Sequence, residues 1–134
     1  GNKTIWENDS SMSSQYTTCV YHEGFLYGTN GREDFGNGAL RCVNALTGKV
    51  AWDEEQFGLA HLIKVEDQML IWNIDGTVTL ADLNSKSFLK KESAIVFSGN
   101  AKSLPALSNG RLFVKSNAES GSGKIVCLQV GESK

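Results

Sequence analysis

The sequence predicts an all-β fold assembled from a repeated four-stranded antiparallel unit. Three observations carry that prediction: a repeat with a period of 43 residues, apolar positions that alternate or run together instead of recurring at helical spacing, and turn dipeptides at the joints between runs. The repeat emerges when Gly24-Phe25-Leu26-Tyr27-Gly28, Asp67-Gln68-Met69-Leu70-Ile71 and Gly110-Arg111-Leu112-Phe113-Val114 are set side by side. Leu26, Met69 and Leu112 then stand 43 residues apart. A first apolar run precedes each, at Thr18–Tyr21, Leu62–Val65 and Pro105–Leu107. A third follows, at Ala39–Val43, Val78–Ala81 and Ile125–Leu128, and a fourth is visible at Lys49–Trp52 and Ser87–Leu89. Four short strands per period is the arithmetic of a β-propeller blade, a sheet that buries its faces only by stacking on its neighbours.

In chain order, Lys3-Thr4-Ile5-Trp6 matches Lys49-Val50-Ala51-Trp52, so residues 1–9 read as the fourth strand of a preceding or swapped blade. Residues 14–55 form blade 1, residues 60–92 blade 2 and residues 102–130 an incomplete blade 3. The expected architecture is a partial propeller of about three four-stranded antiparallel blades, twelve strands in all, in one propeller-repeat region. Its cut falls inside a blade, and an unpaired β edge invites pairing with another chain. Two copies joined head to tail, with Lys3–Trp6 of one completing the last blade of the other, would close a six-bladed ring. A homodimer by strand exchange is therefore an expectation.

The turns agree. Asn109-Gly110 and Asp75-Gly76 supply residues that tolerate positive φ, and Met69–Ile74, Asp75-Gly76 and Thr77–Asp82 read as one hairpin with a two-residue turn. The single proline, Pro105, falls at an early strand position, where a missing N–H is tolerated.

Composition narrows the function classes. The 134 residues are 40 % hydrophobic, and 13 basic against 15 acidic side chains leave a net charge of −2. That balance removes the electrostatic warrant for a nucleic-acid partner or an anionic membrane surface. No apolar run approaches the roughly 20 residues of a membrane-spanning helix, and no signal peptide is legible. Cys19, Cys42 and Cys127 are too far apart for a zinc site and odd in number for a disulfide framework. They read as small buried hydrophobes.

The segment Cys42-Val43-Asn44-Ala45-Leu46-Thr47-Gly48-Lys49-Val50-Ala51-Trp52 resembles the tryptophan-docking motif of pyrroloquinoline-quinone-like propellers, Ala-x-Asp-x-x-Thr-Gly-Lys-x-x-Trp. Thr47, Gly48, Lys49 and Trp52 match, with Cys42 and Asn44 as close substitutes. The motif is physically readable. Asn44 bonds its own backbone to start a turn, Gly48 takes positive φ, and Trp52 packs between blades. A second copy, Leu80 to Lys90, keeps Asp82 but lacks the Gly and the Trp. The resemblance covers nearly the whole chain and is closest to bacterial repeat proteins related to the lipoprotein of the outer-membrane barrel-assembly machine. It implies a periplasmic or otherwise extracytoplasmic scaffold, and a chain that is the carboxy-terminal part of a larger propeller.

Catalytic chemistry is sparse. Quinoprotein dehydrogenases of this superfamily use a quinone, a calcium ion and often an adjacent-cysteine disulfide, and no two cysteines here are neighbours. No cofactor and no metal site are expected, and the alternative reading is a quinoprotein-like enzyme or ligand-binding ring with a central quinone, sugar or metal. Ala118–Lys124 superficially resembles a phosphate-binding loop but lacks its leading Gly, and Ile125 stands where Ser or Thr would hold magnesium. Asn30–Gly38 is oxygen-rich but does not follow calcium-loop spacing and reads as a solvated loop. His22 and His61 fall on opposite faces of the disc. Two matches to the glycosylation sequon, at Asn2 and Asn8, are too short a pattern to carry weight.

One functional hint is positional. From Leu26 to Cys42 is 16 residues and from Leu112 to Cys127 is 15, against 11 from Met69 to Leu80. The loops between second and third strands are therefore extended in blades 1 and 3, on the face that also carries the connection with Phe57 and His61. Long loops on one face of a rigid disc are where binding concentrates. Arg32, Asp34, Phe35 and His61 are the candidate partner-binding residues, for a protein or peptide on a non-catalytic scaffold.

Overall fold

A computed structural model describes residues 1–99, 101–117 and 123–130. Among the described residues eleven strands form three antiparallel sheets, each a simple meander in chain order. Blade 1 contains β1 (Val20–His22), β2 (Phe25–Arg32), β3 (Asn37–Asn44) and β4 (Val50–Glu54). Blade 2 contains β5 (Ala60–Val65), β6 (Gln68–Asn73), β7 (Thr77–Asp82) and β8 (Leu89–Ile95). Blade 3 contains β9 (Ala106–Ser108), β10 (Arg111–Lys115) and β11 (Ile125–Gln129). The only helical element among the described residues is a 3-10 turn at Glu33–Phe35, and no helix there is long and apolar enough to cross a membrane.

Strand alternation decides which side chains meet. In blade 1 the register places Val20, Tyr27, Cys42 and Trp52 in one row across the sheet. That row packs on Leu62, Met69, Ile71 and Ala81 of blade 2, forming one core. The other face of blade 2 offers Leu70 and Trp72 to Leu112 and Val114 of blade 3, forming a second core. Blade 3 shows the alternation most plainly. Leu112 and Val114 are 1 % exposed, whereas Phe113 between them is 36 % exposed on the outward face.

Tight turns recur with the repeat. Glu23-Gly24, Glu66-Asp67 and Asn109-Gly110 join the first and second strands of the three blades, again 43 residues apart. Asn109 (φ 51°) and Gly110 (φ 73°) both take the left-handed region, as a two-residue hairpin turn needs.

Several expectations need correction. Lys3–Trp6 is not a strand in the single chain, which leaves eleven strands instead of twelve. The segment is held by Trp6, whose indole N–H donates to Ala45 O (2.9 Å). The β6–β7 connection is three residues, Ile74-Asp75-Gly76, because Ile74 bonds outside the hairpin, donating to Leu59 O (3.0 Å) and accepting from Ala101 N (2.8 Å). The fourth strand of blade 2 begins at Leu89, not Ser87, and all seven of its residues are exposed. Cys42 is buried, but Cys19 is only partly so. Cys127 is exposed, because it shares the outward row of Ala106 and Phe113.

Candidate functional site

The up-and-down meander puts the β2–β3 hairpin tip, the β6–β7 turn and both blade-to-blade connections at one end of the sheets. A repeated asparagine fixes each connection to the blade it enters. Asn30 Oδ1 accepts from Ser13 N (2.7 Å), Asn73 Nδ2 donates to Phe57 O (2.8 Å) and Asn117 Oδ1 accepts from Lys102 N (3.0 Å). These residues stand at or near the end of the second strand of each blade, at intervals of 43 and 44 residues. Glycine allows equally close approach. A Cβ on Gly38 would stand 2.6 Å from the Gly58 carbonyl carbon, and one on Gly76 would collide with the Phe97 carbonyl.

The β2–β3 hairpin reaches beyond the sheet and closes at Glu33–Phe35. There Arg32 holds Asp34 in a two-point ion pair (3.0 and 2.9 Å), and its guanidinium lies 5.7 Å from the Phe35 ring centroid. The hydrogen bond from Arg32 holds the Asp34 carboxyl below its ordinary value. Phe35 remains 72 % exposed. Glu33 ties the tip down in two directions. Its N–H donates to Gln15 Oε1 (3.0 Å), and its carboxylate pairs with Lys102 Nζ (2.7 Å) in the β8–β9 connection. The Lys102 ammonium is pushed above its ordinary pKa, mainly by that hydrogen bond.

His61 lies on β5 and not in the connection that carries Phe57. It is 7 % exposed, its Nε2 is 2.9 Å from Lys102 O, and its ring lies 6.2 Å from that of Tyr16. Burial, and then the Glu33 carboxylate, push the Tyr16 phenol up. Tyr16, Thr18, His61, Leu62 and Leu104 enclose a recess of about 220 Å³, with Leu104 75 % exposed on its rim. Of the four candidate residues, Arg32, Asp34 and Phe35 therefore form one exposed tip. His61 floors the neighbouring recess, linked to that tip through Lys102 and Glu33. Tyr16, Glu33, Lys102 and Leu104 were missed, because three chain segments far apart in sequence bring them together.

Residues 42–52 run from the end of β3 through a tight turn into β4. Asn44 Oδ1 accepts from Leu46 N (2.9 Å) and Thr47 N (3.1 Å), Thr47 Oγ1 accepts from Lys49 N (3.3 Å), and Gly48 has φ 73°. Trp52 is half-buried between Tyr27 and Phe88, at centroid distances of 6.1 and 5.9 Å, and donates its indole N–H to Asn84 O at 2.7 Å. Trp6 makes the matching bond to Ala45 O (2.9 Å) and lies against buried Gly48, where a Cβ would come within 2.9 Å of its ring.

His22, in the β1–β2 turn at the other end of the sheets, lies 3.8 Å from Glu23 and far from this cluster in the topology. Among the described residues no group of three His, Cys, Asp or Glu side chains is gathered, and all three cysteines are free. Most of the Ala118–Lys124 loop, and with it the extended connection of blade 3, lies outside the described residues.

No family model and no curated protein matches the chain. Among solved structures it is similar to the quinohemoprotein alcohol dehydrogenase ADHIIG of Pseudomonas putida HK5, at TM-score 0.63 and 12 % identity over 84 % of this chain and 18 % of that one. It is also similar to the computationally designed Ika8 protein (TM-score 0.54, 15 % identity, 85 % of this chain and 33 % of that one). The computationally designed Ika4 protein matches at TM-score 0.53 and 16 % identity, over 96 % of this chain and 77 % of that one. The chain spans less than a fifth of the dehydrogenase and a third of Ika8. These likenesses establish the fold, an all-β, propeller-type arrangement of antiparallel blades.

Proposed function

We propose that this chain is a non-catalytic propeller module that docks a protein or peptide on its loop-rich face. The observation that carries the reading is the double hold on Lys102, whose ammonium pairs with Glu33 and whose carbonyl accepts from His61. Through that residue the hairpin tip, β5 and the β8–β9 connection are fastened together, and the Gln15 side chain, accepting from Glu33 N, adds the amino-terminal segment. They present Phe35 and Leu104 to solvent beside the recess. Exposed apolar anchors held rigid and ringed by charge suit a partner surface, since little conformational freedom remains to be lost on binding.

The test is to pan a random peptide library on the immobilised protein and map the selected peptides by amide chemical-shift changes. The reading expects shifts clustered at residues 15–18, 32–36 and 101–104. Selected peptides that shift only residues elsewhere would overturn it.

A further inference from the structure

The two interfaces between blades are built from equivalent positions but filled differently. Blade 1 turns the row Val20–Tyr27–Cys42–Trp52 toward blade 2. The equivalent row that blade 2 turns toward blade 3 is Ile63–Leu70–Leu80–Glu92. Two aromatic rings are thus replaced by a leucine and a carboxylate. The consequence is a cavity of about 370 Å³ between blades 2 and 3, walled by Leu70, Val78 and Leu80 on one side and Leu107 and Leu128 on the other. Glu92 also lines it, on a strand exposed along its whole length.

Charge singles out what belongs there. Among the described residues Glu92 makes no ion pair, while the neighbouring Lys91 is engaged by Asp82 at 3.1 Å. A carboxylate with no ion pair among the described residues therefore stands at the mouth of an apolar gap whose counterpart one blade earlier holds an indole. We propose that this gap binds a small aromatic cation of the arylalkylammonium class. The ring would lie between the leucine walls and the ammonium against Glu92. Such a site has the usual make-up of a ligand pocket, apolar walls with few orienting polar groups.

Tryptamine is the probe, followed through amide shifts of the isotopically labelled protein. The proposal expects saturable shifts at Leu70, Leu80, Leu107 and Leu128, with affinity in about the millimolar range for so small a ligand. Indole-3-acetate, which has the ring and the opposite charge, and butylammonium, which has the charge alone, should both bind more weakly. Glu92→Gln, at an exposed position, should weaken tryptamine about fivefold, the worth of one solvent-facing ion pair. Glu92→Trp should refill the gap, raise the melting temperature and abolish tryptamine binding. Absence of shifts, shifts confined to another region, or equal affinity for tryptamine and indole-3-acetate would overturn the proposal. So would a Lys-Val-Ala-Trp peptide that outcompetes tryptamine at the same residues, which would make the gap a docking site for a polypeptide.

Discussion

Trp6 and Trp52 make the same contact one blade apart. Each donates its indole N–H to a backbone carbonyl in the turn between the third and fourth strands of the next blade, Ala45 O at 2.9 Å and Asn84 O at 2.7 Å. Trp6 does this from a segment that forms no strand, so docking does not require the pairing that Trp52 has with Cys42. Trp52 thereby ties blade 1 to blade 2, and Trp6 ties the amino-terminal segment to blade 1.

Removing them should cost unequally. Trp52→Ala takes a ring from between Tyr27 and Phe88 and is expected to lose about 3 kcal/mol, the lower end for a buried aromatic because the side chain is only half-buried. Trp6→Ala, which removes one hydrogen bond and a half-buried ring, should lose about 1–2 kcal/mol. Urea denaturation of the two variants gives both values, and a Trp52→Ala loss below about 1 kcal/mol contradicts packing between blades.

Gly48 separates backbone strain from collision. Gly24→Ala meets only the cost of positive φ, since nothing lies within 4 Å of its added Cβ, and should lose about 1 kcal/mol. Gly48→Ala adds a clash with Trp6 and should lose more. Combined with Trp6→Ala, the extra loss should vanish, so the pair is less than additive. Strict additivity would show that Trp6 does not rest on Gly48.

The stapling asparagines differ in burial. Asn73 is 5 % exposed and Asn30 is half-buried, so Asn73→Ala should lose about 2 kcal/mol and Asn30→Ala nearer 1 kcal/mol. Equal losses in denaturant titration would mean that the bonds to Phe57 and Ser13 are held alike.

Two of the three tyrosines should ionise late. Burial, followed by the Glu33 carboxylate for Tyr16 and by Cys42 for Tyr27, raises both phenols above their ordinary value of 10.0. The unfolded chain therefore releases these protons first. Their contribution to stability is complete below about pH 10 and declines as pH rises toward the folded-state values. Phenolate absorbance should show the delayed steps, with one missing in Tyr16→Phe. Ionisation of Tyr16 and Tyr27 at the ordinary value would contradict these shifts.

Much of the fold was legible because alternation and the 43-residue period report directly on pairing. Leu26, Met69 and Leu112 all lie on second strands, and Asn109-Gly110 makes the turn its dipeptide suggests. What was hidden has physical causes. The run Ser87–Leu89 marks only the start of the strand Leu89–Ile95, because the rest carries Lys90, Lys91 and Glu92 with every residue exposed. At the candidate site, Arg32, Asp34 and Phe35 were found from loop length alone. Glu33 and Lys102 lie 69 residues apart and meet only through the stacking of blades, which local pattern does not encode. His61 reads from the sequence as part of the connection with Phe57, yet it lies on β5, buried against Lys102 O.

The central claim, that the fastened face around Phe35 and Leu104 docks a peptide, is tested most directly by calorimetry. A library-selected peptide would be titrated into the native protein and into the Phe35→Ala/Leu104→Ala variant. Both side chains are exposed, so the variant should keep its fold. The account predicts binding weakened by at least about tenfold, as expected when two interface anchors are truncated. Unchanged affinity in a folded variant would contradict it.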